Sequence, residues 1–511
     1  MTIFSSISSW LEVVLQPIAA PLTICYLFVL AVLVIYGLHR YWLVFLYHRH
    51  ARGALTPRPL NPGAVDETSL PAITVQLPMY NEKQVARRVI EAAANFDYPH
   101  DLLQIQVLDD STDDSAEVAR LACEQLRQPG GPAIEYIHRD NRDGFKAGAL
   151  QEGLQTATGE MIAVFDADFV PAPPTLRLVA SYFNDDSVGM VQVRWGHLNR
   201  FSSLLTRIQA ILLDGHFVIE HTARNRAGRW FNFNGTAGVW RRTCIEDAGG
   251  WQHDTLTEDM DLSYRAQLKG WKFVYDPSIV CDAELPPHVT DFKSQQHRWT
   301  KGSIQTAIKL LPTIMTSDAS LATKIEAWFH LTSPIVYPFV VLLSLLFFPA
   351  FFVNIYPVES GTAIGWLFGL TLFGLATASA GTFYVVSQIE QHKSGLRTIL
   401  QLPSLMALGI GISINNSRAV LEALLGIRSP FVRTQKYGTS SAEPAVRRTS
   451  KRLQRIAPGL IELTLGCLML LCITLSFSQE HSLVSIPFLA LFAAGYLSVG
   501  WGTLYRALGT R

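Results

Sequence analysis

The chain is poor in charge and in cysteine. Asp, Glu, Lys and Arg make up only 16 % of its 511 residues, acids and bases balance at 42 each, and the formal net charge is zero. A nucleic-acid binder carries a basic footprint, and this chain as a whole has none. The six cysteines (Cys25, Cys123, Cys244, Cys281, Cys467, Cys472) form no C-x-x-C pair. They are expected to be reduced, small apolar residues, with neither a disulfide framework nor a zinc site. No basic region precedes the first apolar run, so a cleaved signal peptide is not expected. No internal repeat is visible. Hydrophobic residues, in contrast, reach 49 %, and the mean hydropathy is +0.20. Those figures suit a membrane protein with a large polar domain.

Five segments, at 21–43, 331–353, 364–386, 460–477 and 483–504, meet the requirement of roughly 20 apolar residues for a bilayer span. Lys and Arg are absent before the first span and from the links 354–362 and 478–482, whereas 48–52, 391–397 and 428–455 are basic. By the positive-inside rule the chain is a multi-pass protein of the cytoplasmic (inner) membrane, with its central domain and C-terminus in the cytoplasm. The apolar stretch 399–425 breaks this alternation if it crosses. Its second half also carries Asn415, Asn416, Arg418 and Glu422. It is read as a re-entrant or interfacial helix along the cytoplasmic face. The layout is then an N-terminal span (1–50), a linker (51–70), a central domain (71–312), two spans (325–390), an interfacial helix and cytoplasmic loop (397–455), and two last spans (459–505).

In the central domain, apolar β-rich runs at 73–77, 105–108, 133–137, 161–165 and 190–193 alternate with helical patterns at 84–95, 115–128 and 146–156. That alternation predicts an α/β domain with a mainly parallel sheet and flanking helices, inserted between transmembrane helices, with ligands at the carboxyl edge of the strands. Polar motifs follow three of those strands: Pro78-Met79-Tyr80-Asn81-Glu82, Asp109-Asp110 and Asp166-Ala167-Asp168. Tyr80 offers a flat ring to a nucleobase, and Asp109 or Asp110 offers acceptors to base N–H or ribose hydroxyls. Asp166 and Asp168 stand two apart at the end of an apolar strand, which aims both carboxylates to one face. Such a pair suits Mg²⁺ or Mn²⁺ shared with substrate phosphates. Lys146 opens a helix, where a cation is awkward unless an anion meets it. In Gln295-x-x-Arg298-Trp299, Arg grips phosphate oxygens and Trp presents a sugar-stacking face.

The order of these motifs resembles the membrane-embedded processive glycosyltransferases that make cellulose, hyaluronan and mannan. It is most similar to the cellulose-synthase-like mannan and glucan synthases of plants and their bacterial relatives. The likeness covers roughly 73–436 and rests on long runs: Val75 to Glu82, Gln106 to Asp113, Gly144 to Leu150, Phe233 to Trp240 and Glu258 to Leu262. It implies a metal-binding GT-A domain of family 2. Tyr80, Glu82, Asp109, Asp110, Lys146, Asp166, Gln295 and Arg298 would then face a sugar-nucleotide donor, and Asp168 with Asp166 would hold the metal. Asp259, beside the like-charged Glu258, matches the general base. Phe233-Asn234-Gly235-Thr236 resembles the loop at the acceptor terminus, with Trp299 stacking the acceptor. Asn234 and Thr236 stand where cellulose synthases carry Cys and Ser, which leans toward the mannan/glucan branch. Phe431, Thr434 and Lys436 resemble a gating loop over the nucleotide, with Arg433 in place of the usual Val. A single carboxylate base implies one in-line displacement with inversion.

The resulting expectation is an inverting hexosyltransferase that extends a β-linked polysaccharide from UDP-glucose or GDP-mannose. Its rival is a non-processive enzyme making glucosyl-diacylglycerol or glucosylceramide on a lipid acceptor. A coupled transporter is disfavoured because the spans hold few ionisable residues.

Overall fold

The computed structural model describes residues 10, 13–50, 70–353, 363–429, 433–438, 452–478 and 485–509. The expected linker up to residue 69, the 439–443 loop and Phe431 lie outside them. The catalytic domain is built on seven strands: β1 (Ile73–Met79), β2 (Leu103–Asp109), β3 (Ala133–His138), β4 (Met161–Val164), β5 (Val188–His197), β6 (Gly238–Arg241) and β7 (Lys272–Ala283). Their order across the sheet is β3-β2-β1-β4-β6-β5-β7, and only β6 runs antiparallel to its neighbours. The mainly parallel sheet with flanking helices is as expected. β6 and β7 are additional to the runs read from sequence; β6 is only four residues long, too short to give a periodic signal.

β1 is buried at every residue. Ile73, Val75, Leu77 and Met79 enter one apolar cluster with Val89, Ile90 and Ile105. Of the intervening positions Thr74 and Gln76 are polar, and they carry a second structure. Thr74 donates to Gln104 Oε1 at 2.7 Å, Gln76 donates to Gln106 Oε1 at 3.1 Å, and Gln104 and Gln106 reach Thr156. This buried ladder pairs most of its own polar groups, as a sheet interior requires, and leaves Gln76 Oε1 without a hydrogen-bond partner. It also holds the Phe145–Thr156 helix against the sheet. A Cβ at Gly153 would come within 2.5 Å of Gln76 Nε2, so only glycine permits that approach.

Four helical segments among the described residues are long and apolar enough to cross a membrane: Val13–His50, Leu321–Ala350, Ile456–Phe477 and Ile486–Leu508. At the place of the expected third span stands a 27-residue helix, Ala363–Ile389. The stretch read as one interfacial helix is two, Gly395–Gly411 and Ser413–Leu424, bent by 41°. Ile410 packs among buried residues of the last two helices, Leu465, Met469 and Tyr496. A long helix, Val289–Thr316, joins the catalytic domain to these segments: Lys293 pairs with Glu462, and Lys301 with Glu422 at 2.9 Å.

Candidate active site

β1 pairs with β2 on one side and β4 on the other, while β2 leads on to β3 at the sheet edge. The chain therefore reverses its direction of growth between β1 and β4, which opens a crevice beyond their carboxyl ends. Tyr80–Glu82 leaves β1 there, and Asp166–Asp168 leaves β4.

On the β1 side, the Arg142 guanidinium lies 3.4 Å from the centroid of the Tyr80 ring and covers one of its faces. Asn81 has a positive φ of 54° and is held to the next loop: its N–H donates to Ser111 and its Oδ1 accepts from the Thr112 N–H. Glu82 is buried, which raises its pKa, and it is paired with Arg433 at 3.0 Å. Asp109 and Asp110, read from sequence as acceptors for the nucleoside, are already engaged internally. Asp109 accepts from Ser111 N–H and Tyr136 Oη at 2.9 and 2.7 Å. Asp110 is gripped at both oxygens by Arg139, at 2.6 and 2.5 Å. The same guanidinium donates to the carbonyls of Asp143 and Phe145. It thereby fixes a turn in which Gly144 and Phe145 both adopt positive φ, 69° and 52°. That turn starts the helix carrying Lys146.

Lys146 donates to Asp166 Oδ1 at 2.5 Å and to the Gly235 carbonyl at 2.9 Å. Burial opposes its charge, yet Asp166, Glu258 and Asp259 together hold its pKa above the usual lysine range. The anion expected to meet this cation is thus present in the protein itself.

β4 ends at Val164, so Asp166 and Asp168 lie in the turn after the strand, closed by the Phe169 N–H donating to the Asp166 carbonyl at 3.0 Å. Their presentation by strand alternation is corrected: a turn sends them into different environments. The Asp166 side chain is 35 % exposed, whereas Asp168 is 1 % exposed. Burial raises the pKa of Asp168 and the Asp166 charge adds to it, with Lys436 opposing. Lys436 donates to Asp168 Oδ2 at 2.5 Å, but Oδ1 is buried without a hydrogen-bond partner. An orphaned carboxylate oxygen beside a second carboxylate fits a hard divalent cation. Among the described residues no cluster of three or more His, Cys, Asp or Glu could hold an ion alone. The remaining ligands would be water and phosphate, as Mg²⁺ sites commonly use. Thr434, on the same segment as Lys436, is buried with its hydroxyl unpartnered.

Glu258 and Asp259 open the Glu258–Leu268 helix. Burial raises the pKa of both; for Asp259 the adjacent Glu258 charge adds to this, and its pKa is pushed up to about 7. The Met260 N–H holds Asp259 Oδ1 at 2.8 Å. The other oxygen faces Gly235, where a Cβ would stand 3.1 Å from Oδ2. Arg298 is in electrostatic reach of Glu258, Asp166 and Asp259. Gln295, Arg298 and Trp299 share one face of the Val289–Thr316 helix, being three and four residues apart. His297 and Lys301 turn to another and meet Glu422. Trp299 lies 6.5 Å from Trp195 on β5.

The 233–236 loop divides its side chains. Phe233 is fully buried against Trp240 and Trp251, so its expected place at the acceptor is corrected to a place in the core, where an apolar ring next to two tryptophans belongs. Asn234 hydrogen-bonds to His216 and His221. Gly235 reaches Lys146 and Asp259, and Thr236 Oγ1 accepts the Asp166 N–H at 2.8 Å. Sequence reasoning missed Arg139, Arg142, His216 and Trp195. For Arg139 and Arg142 a signal existed: two arginines flank the loop just before Lys146. His216 sits in an apolar helical run with nothing to mark it.

Residues 71–302 match the model of a family described as glycosyltransferase like family 2. Glucomannan 4-beta-mannosyltransferase 9 of Arabidopsis thaliana is 32 % identical over 451 residues, covering 85 % of this chain and 81 % of its own length. Glucomannan 4-beta-mannosyltransferase 7 of the same plant is 34 % identical over 451 residues, with 84 % and 77 % covered. Glucomannan 4-beta-mannosyltransferase 1 of Oryza sativa subsp. japonica is 41 % identical over 264 residues, and there the match spans half of the relative's length. Among solved structures, a mannosyltransferase from Pyrobaculum calidifontis, in complex with GDP-Man and Mn²⁺, superposes with a TM-score of 0.54 at 22 % identity. It covers 80 % of this chain and 100 % of that one. The shared fold is GT-A.

Proposed function

Because the chain belongs to family 2 of the glycosyltransferases and aligns over most of its length with plant glucomannan 4-beta-mannosyltransferases, we propose that it is an inverting, metal-dependent mannosyltransferase extending a β-linked polysaccharide at a membrane from GDP-mannose. The names of those relatives favour GDP-mannose over UDP-glucose as donor. The observation that carries the reading is the meeting of donor and acceptor machinery at Gly235: its carbonyl binds Lys146, which pairs with Asp166, and its Cα faces Asp259.

In this reading Asp259 takes the proton from the acceptor hydroxyl as its oxygen attacks the anomeric carbon and the bond to the nucleotide diphosphate breaks. A carboxylate with its pKa pushed up to about 7 is a stronger base than an ordinary one and still ionises near neutral pH. Lys146 and Arg298 neutralise the departing diphosphate, and Lys436 and Thr434 close over it. Asp168 and Asp166 would hold the divalent ion, which when bound supplies further stabilisation of leaving-group charge. Trp299 and Trp195 form the apolar wall for the acceptor sugar. The catalytic domain faces the cytoplasm, where sugar nucleotides are supplied.

Purified protein in detergent, offered radiolabelled GDP-mannose and UDP-glucose separately with Mn²⁺, tests this. Incorporation from GDP-mannose into a polymer cleaved by β-mannanase is expected. Incorporation only into lipid-extractable glycoside, or none from GDP-mannose, would refute it.

A further inference from the structure

Between Leu204 and Arg226 the chain is one long helical run, interrupted by a π-helical segment, Gly215–His221. Such segments are rare and change the register of side chains around the helix, and they recur at functional sites. Here the change of register puts two imidazoles, His216 and His221, side by side with centroids 4.3 Å apart. Both address one residue. His216 Nε2 lies 2.9 Å from Asn234 Oδ1, and His221 Nε2 is hydrogen-bonded to Asn234 Nδ2. Burial pushes the His221 pKa well below its usual range, so the ring is neutral and its Nε2 is free to accept from the amide. Asn234 is held at a third point, its N–H donating to Gln192 Oε1 on β5 at 3.0 Å.

His216 is fixed from behind. Its Nδ1 lies 2.8 Å from Glu220 Oε2, and Glu220 is paired with Arg224 at 3.4 Å. Arg224 in turn binds Glu326 at 2.9 Å, and Glu326 binds His39 of the first apolar helix at 3.0 Å. Burial opposes the Glu220 charge, but Arg224 and His216 together hold its pKa far below the usual carboxylate range. A partly exposed histidine (27 % of its side chain) is thus anchored by a chain of ion pairs running to a different part of the molecule.

Asn234 has Gly235 as its neighbour, and Gly235 has no side chain to fix its own place between Lys146 and Asp259. We propose that His216 and His221 clamp the Asn234 carboxamide, and that this clamp sets the distance between the acceptor loop and the base. His216 is then a positioning residue for acceptor attack, not for donor binding, since none of its hydrogen bonds is to a donor-side group. The inference rests on the reading of Asp259 as the base that serves a polysaccharide acceptor.

The test uses the full chain in detergent with GDP-mannose, Mn²⁺ and β-1,4-mannopentaose. Three quantities are measured for wild type, His216→Ala and His216→Gln: extension of the pentaose, hydrolysis of GDP-mannose by water, and GDP affinity. A 1 Å misplacement of reacting groups can cost about a hundredfold. His216→Ala is expected to lower kcat/KM for the pentaose by at least about tenfold while hydrolysis and GDP affinity stay within about twofold. Gln, which can still hydrogen-bond the amide, is expected to restore most of the loss. Equal losses of extension and hydrolysis, or undiminished extension in His216→Ala, would overturn the proposal alone. Hydrolysis without extension by the wild type would overturn the functional reading and this proposal with it.

Discussion

Replacing Gly235 by Ala adds one methyl group at the centre of the site, and its consequences separate into two terms. The first is conformational: φ at Gly235 is +81°, and a left-handed backbone costs a non-glycine residue roughly 1–2 kcal/mol. The second is steric. The new Cβ would sit 3.1 Å from Asp259 Oδ2 and 3.5 Å from Lys146 Nζ. Lys146 ends a flexible chain and can give way, but Asp259 stands in the first turn of a helix with its other oxygen held by the Met260 N–H. The carboxylate therefore shifts or rotates. Gly228 provides the control, for its φ is +65° and a Cβ there meets nothing within 4 Å. Both variants should lose a few degrees of thermal stability, at roughly 2–4 °C per kcal/mol for a domain of this size. Only Gly235→Ala should lose turnover, by roughly 10–100-fold, because misplacing a reacting group by a fraction of an ångström suffices for such a loss. The assay is initial-rate transfer beside thermal unfolding of both proteins. Equal turnover in the two variants would show that Gly235 serves only the turn, and the geometric argument for the site would fail.

Four further outcomes follow from the same geometry. Asp259→Asn should lower transfer by roughly 10²–10⁴-fold with GDP affinity retained. Glu258→Gln removes a like charge that raises the Asp259 pKa, so the acid limb of the rate profile, set near pH 7 in the wild type, should move to lower pH; an unmoved limb would deny that coupling. Arg139→Met leaves Asp110 buried without its partner, which should cost about 3–5 kcal/mol in unfolding free energy, and adding Asp110→Leu should recover part of it; thermal denaturation of both decides. Asp168→Asn should abolish high-affinity Mn²⁺ binding measured by electron paramagnetic resonance in the presence of GDP, and EDTA should stop wild-type transfer.

Much of this chain was legible from residue order alone, because its chemistry is concentrated at strand ends. Apolar runs of five or so residues, each followed by a polar motif, announce a parallel sheet with a ligand crevice at its carboxyl edge, and β1, β2 and β4 stand as that pattern implies. The long apolar segments are visible for the same reason: hydropathy is a property summed over neighbours in sequence. What the tertiary structure decided are relations between residues far apart in the chain. No local pattern shows that Arg139 is committed to Asp110, that Phe233 belongs to the core beside Trp240 and Trp251, or that Arg433 meets Glu82 across 351 residues. Strand periodicity placed Asp166 and Asp168 on one face, but the strand ends at Val164, and only the following turn determines that one is partly exposed and the other buried. The antiparallel insertion of β6 beside β4 was equally invisible, yet it brings Gly235 to Lys146 and Asp259. Sequence fixes which groups a chain possesses and how they repeat. Which of them face one another depends on strand order and helix register, and those are set by packing that residue order near each site does not encode.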